Sequence, residues 1–229
     1  MKVILLAAGY GSRLRPITNK IPKCMVEIKS QPLLDIWLEK LTKINCGPFL
    51  INTHYLSDKV ESYIKHSSYT KDVVLVYEPS LEGTAGTLLK NLNFFNGDDG
   101  MLIHADNYCL DDLKKLIDAH ERRPKKCLLT MLVFRTKTPN SCGIVETDQN
   151  GIVIDFHEKK ENPPGNLANG AIYILSSELL STIKDKFYNA KEFTLDIISH
   201  LKGQIFVYET KEYFIDIGSL DNYKEANER

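Results

Sequence analysis

The sequence lacks both an excess of charge of one sign and any paired arrangement of cysteines. Lys and Arg total 29 and Asp and Glu total 30, which leaves a formal net charge of −1. Nucleic acids and anionic membrane surfaces select proteins with basic clusters, so this balance argues against both as partners. The five cysteines form no CxxC pair, the spacing that is typical of zinc sites and redox dithiols. We interpret them as reduced, mostly buried thiols of a cytoplasmic protein.

Long apolar runs, internal repeats and low-complexity tracts are also missing. The apolar run at the N-terminus, VILLAA, is far shorter than the ~20 residues that cross a bilayer, and it lacks the flanks of a cleaved leader. We therefore expect a buried first strand and no membrane segment. The 229 residues suffice for a substantial core, and no linker is evident. The sequence predicts a single domain over residues 1–229.

Segments of strand length alternate with segments of helical periodicity, a pattern typical of a parallel sheet wrapped by helices. The predicted strands cover residues 3–7, 49–53, 73–77, 101–105, 127–134, 143–147, 152–157, 168–175, 205–208 and 213–217. The predicted helices cover residues 33–43, 57–65, 84–91, 111–122, 177–184 and 194–201. Asp111 and Ser219 are placed to cap the fourth helix and a closing helix. The turn residues DQNG predict a hairpin, so the second half is a mixed elaboration of the first.

A glycine-rich loop, GYGSRLRPITNKIPK, follows the first strand. Gly9 and Gly11 allow backbone N–H groups to approach an anion, although two glycines alone fit an ordinary tight turn equally well. Leu14 stands where a dinucleotide GxGxxG loop needs its third glycine, which disfavours an oxidoreductase, and no Walker GK[ST] is present. Arg13 and Lys23, held by a proline-stiffened segment, favour a multiply charged ligand.

Two aspartates end apolar segments that are far apart in the chain. Asp106 follows the strand over residues 101–105, and Asp216 stands within YFIDIGS. Open α/β sheets bind ligands beyond the carboxyl ends of their strands. A pair of carboxylates there suits Mg²⁺, although either acid alone fits a turn or a helix cap.

These motifs together give the chain a resemblance to the sugar-1-phosphate nucleotidyltransferase family over essentially its whole length. The segment LAAGYGSRLRPITNKIPK matches the family pattern GxGxRLxPxT and PKxM almost position by position. The resemblance implies a Rossmann-like three-layer α/β/α fold with a mostly parallel mixed sheet. It also implies a nucleotide-binding half over residues 1–140 and a sugar-binding and closing half over residues 141–229.

The resemblance further implies the site residues. Arg13, Lys23 and Asp106 would be catalytic, and Asp106 and Asp216 would hold Mg²⁺. The implied nucleotide-binding residues are Leu6, Ala8, Gly9, Gly11, Ser12, Arg13, Glu78, Gly83 and Thr84. The implied substrate-binding residues are Gly143, Glu158, Lys159, Asn169 and Gly170. Structural alternatives stay open, with Glu158 and Lys159 as an exposed pair at a strand end and Asn169 with Gly170 as a bulge.

The implied activity transfers a nucleoside monophosphate from an NTP to a sugar 1-phosphate. The segment EGTAGTLL resembles the GTAG of guanylyltransferases, which favours GTP and a mannose- or manno-heptose-type acceptor. ADN after the metal strand, where many members have GD, resembles members that use phosphocholine-like acceptors. Two alternatives therefore stay open: a CTP- or UTP-using transferase for phosphocholine-like or amino-sugar phosphates, and a non-catalytic sugar-nucleotide-binding module. A monomer and a homodimer fit the sequence equally well.

Overall fold

A computed structural model describes residues 1–229, which divide into two compact units. Unit 1 comprises Met1–Leu81, Ile103–Leu110 and Phe214–Arg229, and unit 2 comprises Glu82–Leu102 and Asp111–Tyr213. Each unit has its own paired strands and its own apolar core. The single domain with halves meeting at residue 140 stays a prediction.

The elements are numbered in chain order. The strands are β1 (Lys2–Leu6), β2 (Glu27–Ile28), β3 (Gln31–Pro32), β4 (Phe49–Thr53), β5 (Val73–Tyr77), β6 (Gly100–His104), β7 (Asn107–Cys109), β8 (Leu129–Arg135), β9 (Gly143–Thr147), β10 (Val153–Glu158), β11 (Leu167–Leu175), β12 (Ile205–Glu209) and β13 (Phe214–Asp216). The α-helices are α1 (Leu33–Lys43), α2 (Ser57–His66), α3 (Gly83–Lys90), α4 (Leu113–Glu121), α5 (Ser177–Lys186) and α6 (Leu220–Glu228). No helix of the chain is both long and apolar enough to cross a lipid bilayer.

Unit 1 is built on parallel strands. β4 lies between β1 and β5, with Phe49 opposite both Val3 and Val73. All five residues of β4 are buried, as expected for a central parallel strand covered on both faces. The helix α1 buries the apolar stripe of Leu33, Leu34, Trp37, Leu38 and Leu41. The indole N–H of Trp37 donates to the carbonyl of Asn107 at 2.9 Å, which joins α1 to the short antiparallel pair of β7 and β13.

Unit 2 has mixed pairing. β8 pairs antiparallel with β11 and parallel with β12, and β9 and β10 form the predicted hairpin. Asp148 closes the hairpin turn by accepting from the backbone N–H groups of Asn150 and Ile152, each at 2.9 Å. The predicted α/β fold class is confirmed, with parallel strands in the first part of the chain and mixed pairing in the second.

Two local expectations are wrong. Asp112, not Asp111, caps α4 by accepting from the N–H of Lys114, whereas Asp111 is buried and accepts from the hydroxyl of Tyr208. The helix predicted over residues 194–201 is a π-helix over Phe193–Ile197 followed by a 3₁₀ turn. The predicted cap of α6 by Ser219 is confirmed, and all five cysteines are free, four of them buried.

The loop after β1 places its two glycines in different environments. Gly11 has a left-handed φ of 63°, and a Cβ there would lie 2.9 Å from Cγ2 of Thr18 and 3.1 Å from Cβ of Lys23. At Gly9 a Cβ would meet no atom of the chain within 4 Å. Packing inside the protein therefore requires glycine at position 11 but not at position 9.

Gly11→Ala should lower the free energy of unfolding by about 1–3 kcal/mol, because alanine is strained at this φ and collides with Thr18. Gly9→Ala should stay within about 0.5 kcal/mol of the wild type. Urea unfolding followed by the fluorescence of Trp37, the only tryptophan, measures both values. Equal losses in the two variants would contradict the assignment.

A buried histidine joins three elements of unit 2. The ring of His120 lies 2.8 Å from the hydroxyl of Thr130 and 3.3 Å from Oδ2 of Asp99, whose Oδ1 accepts from the N–H of Ser177. Burial, assisted by the positive charge of Arg123, lowers the pKa of His120 to about 4. The folded protein therefore holds this side chain neutral, while the unfolded chain protonates it near its ordinary pKa of about 6.5.

Because the pKa of His120 is lower in the folded protein than in the unfolded chain, the folded state keeps its full stability above about pH 6.5. It loses stability as the pH falls toward 4, where the unfolded chain binds the additional proton. His120→Gln should remove on the order of 3 kcal/mol of that pH dependence, since glutamine does not titrate. Urea midpoints between pH 4 and 7 measure the slope, with the exposed His66→Gln as the matched control. An unchanged slope in His120→Gln would show that this histidine does not control acid stability.

Candidate active site

One ammonium group joins the two predicted metal ligands of unit 1. Nζ of Lys23 lies 2.6 Å from Oδ2 of Asp106 and 3.1 Å from Oδ1 of Asp216. Asp106 lies two residues beyond the end of β6, and Asp216 ends β13. The antiparallel register places Asp216 opposite Asn107, and the N–H of Ile217 donates to the carbonyl of Asp106. This pairing brings together two acids that are 110 residues apart in the sequence (216 − 106).

The charges of this cluster support one another. Burial disfavours the ammonium of Lys23, but the carboxylates of Asp106 and Asp216 outweigh that effect, so its pKa is raised. Burial likewise disfavours the Asp106 carboxylate, but Lys23 outweighs it and the pKa of Asp106 is lowered. Arg13 adds a second cation, with Nη2 3.9 Å from Oδ2 of Asp216. At neutral pH the cluster therefore holds two cations against two carboxylates.

The donor set fits a hard divalent cation. The carboxylates of Asp106 and Asp216 both contact Nζ of Lys23, and their side chains are 35% and 45% exposed, whereas that of Lys23 is only 10% exposed. Gly218 leaves room beside them, because a Cβ there would lie 2.7 Å from Oδ2 of Asp216 and 3.1 Å from Nη2 of Arg13. Carboxylate oxygens that are open to solvent suit a cation that keeps part of its water shell.

The predicted loop residues lie at the end of β1. Leu6 ends the strand, Ala8 is buried, and Ser12 begins a 3₁₀ turn that contains Arg13. The carbonyl of Leu6 accepts from the N–H of Ala105, which holds β1 beside the segment that carries Asp106. The loop and the segment that carries Asp106 are therefore held side by side in unit 1.

Asn52 organises this end of unit 1 and was not predicted. Its Oδ1 accepts from the N–H of Ala7 at 2.7 Å, and its Nδ2 donates to Oε1 of Glu78 at 2.9 Å. The predicted nucleotide-binding residue Glu78 is thereby held at the end of β5 with only 4% exposure. A polar residue near the end of the otherwise apolar strand FLINT was the signal in the sequence.

Tyr10 lies between the two loop glycines and docks on His54. Its hydroxyl is 3.0 Å from Nε2 of His54, and Nδ1 of His54 is 2.7 Å from the carbonyl of Glu78. Since a carbonyl only accepts, Nδ1 carries the proton and Nε2 accepts from the tyrosine. The loop is therefore linked through the imidazole of His54 to Glu78, the residue that follows β5.

The predicted acceptor residues gather at one end of three strands of unit 2. Gly143 on β9 pairs with Glu158 on β10, and β11 joins β9 through Ala168 opposite Ile144, next to Asn169. A Cβ on Gly143 would lie 2.6 Å from the ring of Phe156 and 2.8 Å from Oε2 of Glu158. Because glycine has no side chain, the Glu158 carboxylate can lie beside residue 143.

Lys159 and Asn169 also have the structural roles that the sequence left open. The side chain of Lys159 is 67% exposed and lies 3.4 Å from Oε1 of Glu158. The pairing of β11 with β8 shifts between Asn169 and Tyr173, so Asn169 and Gly170 begin a bulge. Asn169 accepts from the N–H of Ala171 and donates to the hydroxyl of Tyr173. Contacts of these residues with a substrate stay predictions.

A second group of ligand-type side chains in unit 2 has its charges already balanced. Glu146, Asp155 and His157 have potential ligand atoms within 4.8 Å of one another. Asp155 pairs with Lys202, and His157 bonds to Glu146 and Lys160. The two lysines provide the positive charge that a metal ion would bring, so we assign this cluster to the packing of the hairpin.

Gly83 and Thr84 are the first two residues of α3, and no side chain caps the N-terminus of this helix. Gly83 has a left-handed φ of 79°, and a Cβ there would collide with the carbonyl oxygen of Lys191. The hydroxyl of Thr84 accepts from the N–H of Phe193 at 2.7 Å. The start of α3 is therefore held by the segment around Lys191.

The chain is similar to named sugar-phosphate nucleotidyltransferases. It is 30% identical to the protein of Sulfolobus acidocaldarius that is named "Putative mannose-1-phosphate guanyltransferase", over 99% of this chain and 62% of that protein. It is 28% identical to the D-glycero-alpha-D-manno-heptose 1-phosphate guanylyltransferase of Aneurinibacillus thermoaerophilus, over 99% of this chain and 96% of that protein. The chain thus spans about six-tenths of the length of the first of these relatives.

Solved structures agree with this similarity. HddC of Yersinia pseudotuberculosis, in complex with GMP-PN, superimposes with a TM-score of 0.81 at 26% identity, over 99% of this chain and 98% of that one. The family described as Nucleotidyl transferase matches residues 2–229. Since that match covers nearly every residue and includes the glycine loop and both aspartates, the chain belongs to the nucleotidyl transferase family.

Proposed function

We propose that the chain is a cytoplasmic nucleotidyltransferase that transfers GMP from GTP to a sugar 1-phosphate of the mannose or manno-heptose type. The observation that carries the proposal is the cluster of Lys23, Asp106 and Asp216, in which one buried ammonium joins two partly exposed carboxylates. The guanylyltransferase names of two relatives support the choice of GTP and of these acceptors.

The proposed reaction needs no protein nucleophile. A phosphate oxygen of the sugar 1-phosphate forms a bond to the α-phosphorus of GTP, and the bond from that phosphorus to its bridging oxygen breaks. Pyrophosphate leaves with the electron pair. Because both reactants are polyanions, the protein's task is to reduce their repulsion and hold them in line. Arg13, Lys23 and the backbone N–H groups from Gly9 to Gly11 would do this.

We assign Mg²⁺ as the metal, held by Asp106 and Asp216. When bound, the ion would neutralise phosphate charge beside these two carboxylates. Lys23 remains cationic at neutral pH because its pKa is raised, so it can keep a positive charge beside both acids. Its buried stem would let it act as a fixed charge rather than a mobile one.

We assign Glu78 the role of an acceptor for N–H donors of the base. Guanine carries N–H donors on its base edge, and a carboxylate accepts from such donors. Asn52 orients Glu78 through Nδ2, and the backbone carbonyl of Glu78 is bonded to His54. A carboxylate that is held in this way discriminates between bases better than a mobile one, because less ordering is required on binding.

A substrate matrix tests this function. The four NTPs and dTTP are each combined with a panel of sugar 1-phosphates and phosphocholine, and pyrophosphate release is measured with Mg²⁺. We expect turnover with GTP and a mannose or manno-heptose 1-phosphate. Turnover with CTP and phosphocholine, or with UTP and an amino-sugar phosphate, would replace the substrate pair. Binding without turnover in every combination would identify a non-catalytic binding module. Light scattering on the same sample distinguishes a monomer from a homodimer.

Lys23→Met should lower kcat by about two to three powers of ten, because it removes a preorganised charge from the proposed phosphate site. The matched control is Lys43→Met, which breaks a surface pair with Glu39 of the same 2.6 Å length. Steady-state kinetics and circular dichroism measure the two variants. Wild-type kcat in Lys23→Met, with a folded protein, would refute its role.

Glu158→Gln should raise KM for the sugar phosphate roughly tenfold and leave KM for GTP unchanged, because hydroxyl groups bond more strongly to a charged acceptor. Glu209→Gln is the matched control in unit 2, since Glu209 is also a carboxylate paired with a surface lysine. An equal change in both KM values of Glu158→Gln would contradict a role confined to the acceptor.

A further inference from the structure

The residues just before and within the π-helix of unit 2 form a turn that is fixed by one carboxylate. Oδ2 of Asp196 accepts from the backbone N–H groups of Lys191 at 2.7 Å and Glu192 at 2.8 Å. The N–H of Asp196 donates in turn to the carbonyl of Glu192 at 2.8 Å. These backbone bonds lower the pKa of Asp196, so the carboxylate stays charged at neutral pH. One side chain therefore holds both N–H groups that begin the turn.

This turn is bonded to the start of α3 at three points. The carbonyl of Lys191 accepts from the N–H of Ala85 at 2.8 Å, which satisfies a first-turn donor of α3. The hydroxyl of Thr84 accepts from the N–H of Phe193 at 2.7 Å and donates to Oε2 of Glu192 at 3.2 Å. The collision expected for any side chain at Gly83 shows how closely the turn approaches.

The π-helix over Phe193–Ile197 determines how this turn contacts the start of α3. A π-helix is rare and is often found at functional sites. Here it lets Phe193 bury its ring against Tyr173, with centroids 4.9 Å apart, while the N–H of Phe193 points to Thr84. The turn is thus anchored in the core on one side and bonded to Gly83–Ala85 on the other.

We propose that Asp196 is a positioning residue for nucleotide binding, which acts by holding residues 191–193 so that they fix Gly83, Thr84 and Ala85. The inference rests on the proposed function and on the expectation, implied by the sequence resemblance, that Gly83 and Thr84 bind the nucleotide. Asp196 is not assigned a contact with the nucleotide. Its effect is preorganisation, since a segment that is ordered before binding loses less conformational entropy on binding.

Asp148 provides a matched control. Its Oδ1 also accepts from two backbone N–H groups, at the tip of the hairpin of β9 and β10, and backbone bonds also lower its pKa. Removing either carboxylate deprives a turn of unit 2 of the same kind of support. Only Asp196 is bonded to a turn that contacts α3.

The experiment compares Asp196→Ala, Asp196→Asn and Asp148→Ala. Amide hydrogen exchange of residues 83–90 is measured without nucleotide, and GTP affinity by calorimetry. We expect faster exchange at Ala85 and roughly tenfold weaker GTP binding in Asp196→Ala. The asparagine variant should recover most of both, because its Oδ1 can still accept. Asp148→Ala should leave both values unchanged and show only a lower melting temperature.

The inference would be overturned by unchanged exchange of residues 83–90 in Asp196→Ala, or by the same loss of GTP affinity in Asp148→Ala. Failure of the proposed function is seen separately, in the wild type, as absence of GTP-dependent pyrophosphate release. Faster exchange in Asp196→Ala with unaltered GTP affinity would also overturn it, because the loss of order in residues 83–90 would then have no effect on nucleotide binding.

Discussion

The ammonium of Lys23 between the carboxylates of Asp106 and Asp216 is the interaction on which the candidate site depends. Two carboxylates facing one point repel each other unless a cation joins them, and a buried lysine loses its charge unless acids offset its desolvation. Each group therefore stabilises the charged form of its neighbours. The raised pKa of Lys23 and the lowered pKa of Asp106 are the result. Removing Lys23 would leave two carboxylates close together without the ammonium that joins them.

The backbone around this cluster is adjusted to let the charges meet. The pairing of β7 with β13 aligns Asp216 with the residue after Asp106, a contact between distant parts of the sequence. Gly11 and Gly218 permit the close approach, since a Cβ on the first would press against Lys23 and a Cβ on the second against Asp216 and Arg13. Strand pairing thus brings the charged residues near one another. The absence of a Cβ at Gly11 and Gly218 then allows their close contact.

Much of the fold could be predicted because burial imposes periodicity on the sequence. The bounds of α1, β4 and β5 were predicted to the residue, since turn residues border clear apolar patterns. The cap of α4 was assigned one residue early because Asp111 and Asp112 are adjacent, and only tertiary burial of Asp111 distinguishes them. The π-helix at Phe193 was missed because its apolar residues, taken alone, fit an ordinary α-helix.

Residues of the candidate site were predictable where they belong to a local motif, and supporting residues were missed where they act through backbone groups. The loop lysine and arginine could be recognised from one continuous segment, but Asn52 and Asp196 act on residues 45 and up to five positions away through backbone groups. A backbone N–H leaves no trace in the sequence, since every residue except proline carries one. Side chains that orient backbone groups therefore become visible only in the folded chain, and they are the residues most open to discovery by structure.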